Sequence, residues 1–186
     1  MTYLDITDRH FYSVSREILL DKGKRLELVK GDYLCRQGEK SSQIGILVSG
    51  SLKYTSLTSN GNERILSFAF TGDLVGCYSA MRNKEKSLFD IVALESSVVY
   101  QLPIWELDTV LSGRSRVEFD ETLSYILLQK VIDDCCLNAE ERYVMLSQRF
   151  PDIHNRMTNR TIAAYLGVTP ESLCRLRKRL LTTKKI

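Results

Sequence analysis

The sequence predicts an α+β chain, with an antiparallel β sandwich or barrel in its first half and helices in its second. Three observations carry this. Seven of the ten glycines lie between Gly31 and Gly76, and glycine supplies the positive φ that tight turns demand. Between Val117 and Leu137 there is neither Gly nor Pro, and apolar residues recur at helical spacing. The chain has 186 residues, 44% hydrophobic and 26% charged. That is long enough for a real core and excludes a disordered or collagen-like chain.

In chain order, a helix is expected over roughly 8–20. Short β-rich stretches follow at Ile44–Val48, Leu52–Leu57, Ile65–Phe70, Asp90–Leu94 and Val98–Leu102. Asn60-Gly61 between two of them is a hairpin signal. A helix over Val117–Leu137 would span about 30 Å at 1.5 Å per residue. Phe119, Leu123, Ile126, Leu127, Val131 and Cys135 form its stripe, and Leu128 and Ile132 widen it. Such a helix either packs on both the β body and a partner helix or serves as a simple core helix. Asn138-Ala-Glu-Glu141 reads as a capping box that starts a new helix, ending near Phe150-Pro151. These marks divide the chain into 1–116, 117–137 and 138–186.

Charge divides at the same place. The net +3 resolves into −3 for the first 137 residues and +6 from Asn138 onward. From Ser172 the chain carries six basic residues and no acid. This asymmetry points to an anionic partner for the C-terminal region, with a solvated charged helix as the bland reading. No stretch has the roughly 18 apolar residues of a membrane span, and no basic-then-apolar leader opens the chain. A cytoplasmic location is expected, with no membrane partner. The five cysteines (Cys35, Cys77, Cys135, Cys136, Cys174) contain no CxxC pair, so free thiols are the default.

The residues from Thr158 carry the function. Thr158 can cap a helix over Asn159–Leu166, and Gly167 can take the left-handed conformation that turns the chain. Val168 fills the angle, and Thr169-Pro170-Glu171 opens a second helix with a cap, a tolerated Pro and an acid in the first turn. Leu173, Leu176 and Leu180 share one face of that helix; Glu171, Arg175, Lys178 and Thr182 share the other, with Ser172 and Arg179 beside it. One face anchored and one polar, mostly basic, is the pattern of a helix that enters the DNA major groove. Glu171, Ser172 and Arg175 are the candidate base-reading set: Arg pairs bidentately with guanine, and Glu accepts from cytosine N4. Thr158, Thr169, Arg177, Lys178, Arg179, Lys184 and Lys185 are candidates for phosphate contact.

Leu34–Gly76, reading LCRQGEKSSQIGILVSGSLKYTSLTSNGNERILSFAFTGDLVG, resembles the effector β-roll of CRP/FNR-type transcription regulators, a double-stranded, jelly-roll-like β-helix. AAYLGVTPESLCRLRKRL resembles the same family's helix-turn-helix. The resemblance implies a homodimer on double-stranded DNA, with RNA polymerase as a candidate further partner. It places the dimer interface on Phe119, Leu123, Ile126, Leu127 and Val131. It maps the base-reading positions to Pro170, Glu171 and Arg175, where Pro170 replaces a residue that is often Arg. The family's wing is expected to be reduced or absent, since only Leu181-Thr-Thr-Lys-Lys-Ile follows.

The effector half departs from the cyclic-nucleotide pattern. Gly76-Cys77 stands where a Gly-Glu pair is expected, and Ser87 where an Arg pairs with the cyclic phosphate. Arg82, Lys84 or Lys86 are the available substitutes, and a Lys lacks the Arg fork. Cyclic AMP is therefore not expected as a ligand, and no cofactor is expected. Phe68, Phe70, Gly76, Cys77, Tyr78, Ser87 and Phe89, with Leu123 and Leu127, are the candidate lining of an effector pocket, or else simple core. The cysteine positions do not suit a four-cysteine cluster. There is no GxSxG, HExxH or phosphate-loop pattern, so an enzyme is not expected. A ligand-binding β-roll with a degenerate DNA-binding half is the alternative reading.

Overall fold

The computed structural model describes residues 10–111 and 113–182. It is an α+β structure whose strands form two four-stranded antiparallel sheets. The chain divides into two compact units, with the division between Thr122 and Leu123.

The first unit opens with α1 (His10–Lys22), which buries Phe11, Tyr12, Ser15, Ile18 and Leu19 on one face. β1 (Lys24–Leu28), β2 (Tyr33–Cys35), β3 (Gln43–Ser49), β4 (Ser51–Leu57), β5 (Glu63–Phe70) and β6 (Leu74–Val75) follow. After them come α2 (Tyr78–Asn83), β7 (Asp90–Ala93), β8 (Ser97–Pro103) and α3 (Ile104–Val110). One sheet has the order β1-β8-β3-β6 and the other β2-β7-β4-β5. Apart from β4 and β5, which share a sheet, consecutive strands alternate between sheets, and Gly50 alone carries the chain from β3 across to β4. Its φ is +91°, and a Cβ there would stand 2.2 Å from Ser97 Oγ, so both the backbone sign and the space require glycine. Leu47, Leu52, Ile91 and Val99 are fully buried between the sheets.

β4 and β5 form the hairpin around Asn60-Gly61, with Gly61 at φ +77° and Thr58 N–H donating to Asn62 O at 2.9 Å. The five stretches read as strands are β3, β4, β5, β7 and β8. β1, β2 and β6 are additional: each is short and exists by pairing with a remote strand, as β6 does through Gly45–Val75 and Ile46–Leu74.

α4 (Gly113–Cys136) begins four residues before the expected helix. Its early residues pack in the first unit. Phe119 is buried, edge-on to Phe11 at 5.1 Å and tilted against Tyr78 at 4.7 Å. This removes Phe119 from the expected dimer surface, because its ring is covered by its own chain. The physical reason is that α4 is apolar on more than one side, and periodicity does not say which side the body takes.

The second unit holds the rest of α4, then α5 (Ala139–Arg149), α6 (Ile153–Arg156), α7 (Asn159–Leu166) and α8 (Pro170–Thr182). The Asn138 capping box is complete: its side chain accepts from the Glu140 and Glu141 amides, and Glu141 accepts from the Asn138 amide. Arg142 joins three elements, reaching Asp134 at 3.2 Å and Leu166 O at 2.8 Å. Among the described residues, no helix is long and apolar enough to cross a membrane.

Candidate nucleic-acid interface

α7 and α8 form a helical hairpin built by local chemistry. Thr158 caps α7 by accepting from the Thr161 amide at 3.2 Å. Gly167 sits at φ 73°, ψ 29° and ends α7; a side chain at that φ would be strained. Val168 N–H then donates to Ala163 O at 3.0 Å. Thr169 caps α8 by accepting from the Ser172 amide at 3.2 Å, with Pro170 first in the helix. Ile162, Ala163, Leu166, Leu173 and Leu180 are buried between the helices, and Leu176 is half-buried.

That packing turns the other face of α8 outward. Glu171, Arg175 and Lys178 are exposed, and Ser172 is half-buried. Arg175 Nη2 donates to Ser172 Oγ at 3.3 Å, and Thr169 Oγ1 donates to the same oxygen at 3.1 Å. Arg175 is therefore lightly tethered with its guanidinium at the surface. The Glu171 carboxyl is held below its ordinary pKa, first by its own backbone amide and then by Thr169. It is an ionised acceptor at neutral pH.

The phosphate candidates divide. Lys178 is exposed, and Thr158 and Thr169 are exposed residues whose hydroxyls cap α7 and α8. Arg177 donates to Asn159 Oδ1 at 3.1 Å, and Arg179 pairs with Glu140. These two cations are already engaged within the unit. Lys184 and Lys185 lie outside the described residues. Two exposed residues stand outside the interface candidates: Arg160 in the first turn of α7, and Cys174 on α8, noted in the sequence only as a free thiol. A helical projection of α8 would have found Cys174.

Behind α8 lies a polar link. Tyr143, buried on α5, hydrogen-bonds to His154 Nε2 at 2.6 Å. Desolvation, then Arg177, lower the His154 pKa, partly offset by a hydrogen bond with Asn159. His154 is thus neutral in the folded unit at neutral pH, and protonation would place a second cation beside Arg177. A depressed basic pKa gives stability that is full above the unfolded value, near 6.5, and falls as pH drops below it. The urea midpoint of the helical signal should fall between pH 7.5 and 5.5. In His154→Gln that fall should be smaller; an equal fall would remove His154 as its source.

In the first unit, the candidate effector lining divides. Cys77 joins a buried cluster with Cys35, Leu47, Leu52 and Ile91, against which Tyr54 and Phe89 pack. Tyr54 and Phe89 meet edge-on at 5.3 Å. Burial raises the Tyr54 hydroxyl pKa, partly offset by the Gly76 backbone. Burial likewise raises the Cys35 thiol. Gly76 has φ +146°, and a Cβ there would lie 2.8 Å from Met81 Cε. Ser87 is buried and donates to Phe89 O at 2.7 Å.

Tyr78 turns to the helices instead, donating to Asp120 Oδ1 at 2.6 Å. Phe68 and Phe70 pack on each other at 6.2 Å. Leu123 and Leu127 fall beyond the division, in the second unit, and Leu127 is 53% exposed. Of the candidate cations, Arg82 is ion-paired with Asp108, which Arg116 also holds at 2.7 Å. Lys84 and Lys86 are exposed.

The dimer candidates also divide. Leu127 and Val131 are exposed, Leu123 and Ile126 are half-buried, and Phe119 is buried. The exposed apolar face adds Tyr125, Leu128 and Ile132, which are 55%, 59% and 39% exposed.

A two-sheet β-roll followed by a helix and a helix-turn-helix defines the class of sensor-linked regulators. Residues 25–114 match the model of the cyclic nucleotide-binding domain. The fumarate and nitrate reduction regulatory protein of Yersinia pestis is 30% identical, over 82% of this chain and 67% of that protein. Its Escherichia coli counterpart is 29% identical over the same shares. FixK2 from Bradyrhizobium japonicum superposes with a TM-score of 0.74 at 19% identity, covering 87% of this chain and 86% of that one. The regulator CLP of Xanthomonas campestris, described as responsive to c-di-GMP, gives 0.61 at 15% identity, with 92% and 93% covered. The chain belongs to the CRP/FNR family of transcription regulators, whose members bind DNA and act as dimers.

Proposed function

We propose that this chain is a cytoplasmic, homodimeric regulator that binds double-stranded DNA sequence-specifically through α8, at two half-sites about 34 Å apart. The observation that supports this most directly is the outward face of α8. Glu171 and Arg175 stand exposed on a helix whose Leu173 and Leu180 are fully buried. Residues 1–116, 117–137 and 138–186 then act as sensor, pairing helix and DNA-binding part. The exposed face of α4 from Tyr125 to Ile132 is the pairing surface. Titration of fluorescent palindromic and scrambled DNA duplexes at several salt concentrations tests this. A steep fall of affinity with salt and a preference among sequences are expected. A flat salt response or no preference would sink the reading and favour a ligand-binding β-roll with a degenerate C-terminal half.

The sensor interior is inferred not to bind cyclic AMP. Cys35 and Cys77 belong to a buried cluster against which Tyr54 and Phe89 pack, and Arg82 is committed to Asp108. A cyclic phosphate placed there would be desolvated without a fork of donors. Calorimetry with cyclic AMP should give no heat of binding at micromolar concentrations, and a micromolar dissociation constant would reverse this inference.

A further inference from the structure

The exposed face of α4 ends in a thiol that lies in its register. Taking about 100° per residue from Leu128, Val131 and Ile132 fall about 60° and 40° to either side, and Cys135 only about 20° away. Cys136 falls about 80° away, on the flank. Both thiols are free and exposed. Glu121, exposed one turn before Tyr125, bounds the apolar face at its other end. The covered residues Phe119, Thr122 and Asp133 lie on the opposite side of the helix.

We propose that Cys135 meets Cys135 of a second copy across the dimer axis, and that this pair is a site of reversible disulfide formation between the two chains. The inference rests on the pairing surface proposed above. α5 begins three residues after α4 ends, so only parallel pairing puts both DNA-binding units at one end. In a parallel pair the two-fold axis runs along the helices, and each residue on the axis-facing line meets its own copy. Helix axes about 8–10 Å apart bring facing Cα atoms near the roughly 4.4–6.8 Å that a disulfide requires.

The step is a two-electron oxidation. Two thiols lose two protons and two electrons to a peroxide or diazenedicarboxamide, forming one S–S bond, and a dithiol reverses it. Cys136 cannot resolve Cys135 within its own chain, because adjacent helical residues point about 100° apart. In a reducing compartment such a bond would be transient, as redox-sensing disulfides are. It would hold the dimer together at dilutions where the reduced chains separate.

The test uses the full chain in two stages. Sedimentation of the reduced protein establishes whether it is a dimer. Diamide treatment, trapping with N-ethylmaleimide and non-reducing electrophoresis then read the cross-link, with circular dichroism confirming that each variant is folded. Wild type and Cys136→Ser should cross-link alike, and Cys135→Ser should fall by about tenfold or more. Cross-linking that survives in Cys135→Ser or vanishes in Cys136→Ser overturns the assignment. A reduced dimer that forms no cross-link overturns this inference alone. A reduced monomer overturns the pairing reading and this inference with it.

Discussion

Arg175→Ala should weaken binding to the preferred duplex by about 1–3 kcal/mol, or roughly 5- to 150-fold, and relax base preference at one position per half-site. The side chain is exposed and makes one long contact, to Ser172 Oγ at 3.3 Å. Its removal should leave stability within about 0.5 kcal/mol, the usual range for a surface change away from packing. The loss would therefore report recognition and not folding. Lys178→Ala is the contrast. Lys178 is exposed on the same face, but an ammonium gives phosphate affinity without sequence information. It should weaken all duplexes about equally and lower the salt slope by about 1. Anisotropy titrations against duplexes randomised at each position separate the two patterns. Equal, sequence-independent losses from both variants would contradict the base-reading role of Arg175.

Leu128→Asp should convert the dimer to monomer at micromolar concentration and reduce DNA affinity by more than about 100-fold, or roughly 3 kcal/mol. Leu128 is 59% exposed at the centre of the α4 apolar face, so the fold of one chain does not depend on it. Two-fold pairing would present the new carboxylate twice, against its own copy and away from water, where like charges repel most. Sedimentation reads the dissociation, and circular dichroism should be unchanged. Ile126→Asp supplies the opposite control. Ile126 lies on the covered side of α4 and is half-buried, so the charge should lower the thermal midpoint. A folded, dimeric Leu128→Asp would remove this face from the pairing surface.

The parts of the chain that could be read in advance were those governed by neighbours in sequence. The Asn138 box, the Thr158 and Thr169 caps, Gly167 and the leucines of α8 all act within a few residues. The Gly61 turn joins strands adjacent in the chain, and was legible for the same reason. What escaped depends on distant partners. β6 is two residues long and is defined by β3. Arg82 is taken by Asp108, 26 residues away. Arg179 is taken by Glu140, 39 residues away, so its positive charge was legible but its commitment was not. No local pattern reports such pairings.

α4 shows the division most clearly. Its apolar content and its lack of Gly and Pro established a long helix with more apolar surface than one contact needs. Periodicity marked Phe119, Leu123, Ile126, Leu127 and Val131 as one set, because a helix projection has no knowledge of the body it meets. Packing separated them: Phe119 turned inward between Phe11 and Tyr78, and Leu127 and Val131 were left outside, with Tyr125, Leu128 and Ile132 exposed as well. The sequence by itself determined a β-rich half, a charge reversal near Asn138 and a helix-turn-helix with Glu171 and Arg175 facing out. Only the tertiary structure decided which side of α4 is covered, which cations are already paired, and that Tyr54 and Phe89 pack against the buried cluster of the β-roll. The physical reason is range. Caps, turns and helical faces are set by interactions within a turn or two, while burial and ion pairing are set by whatever the fold brings alongside.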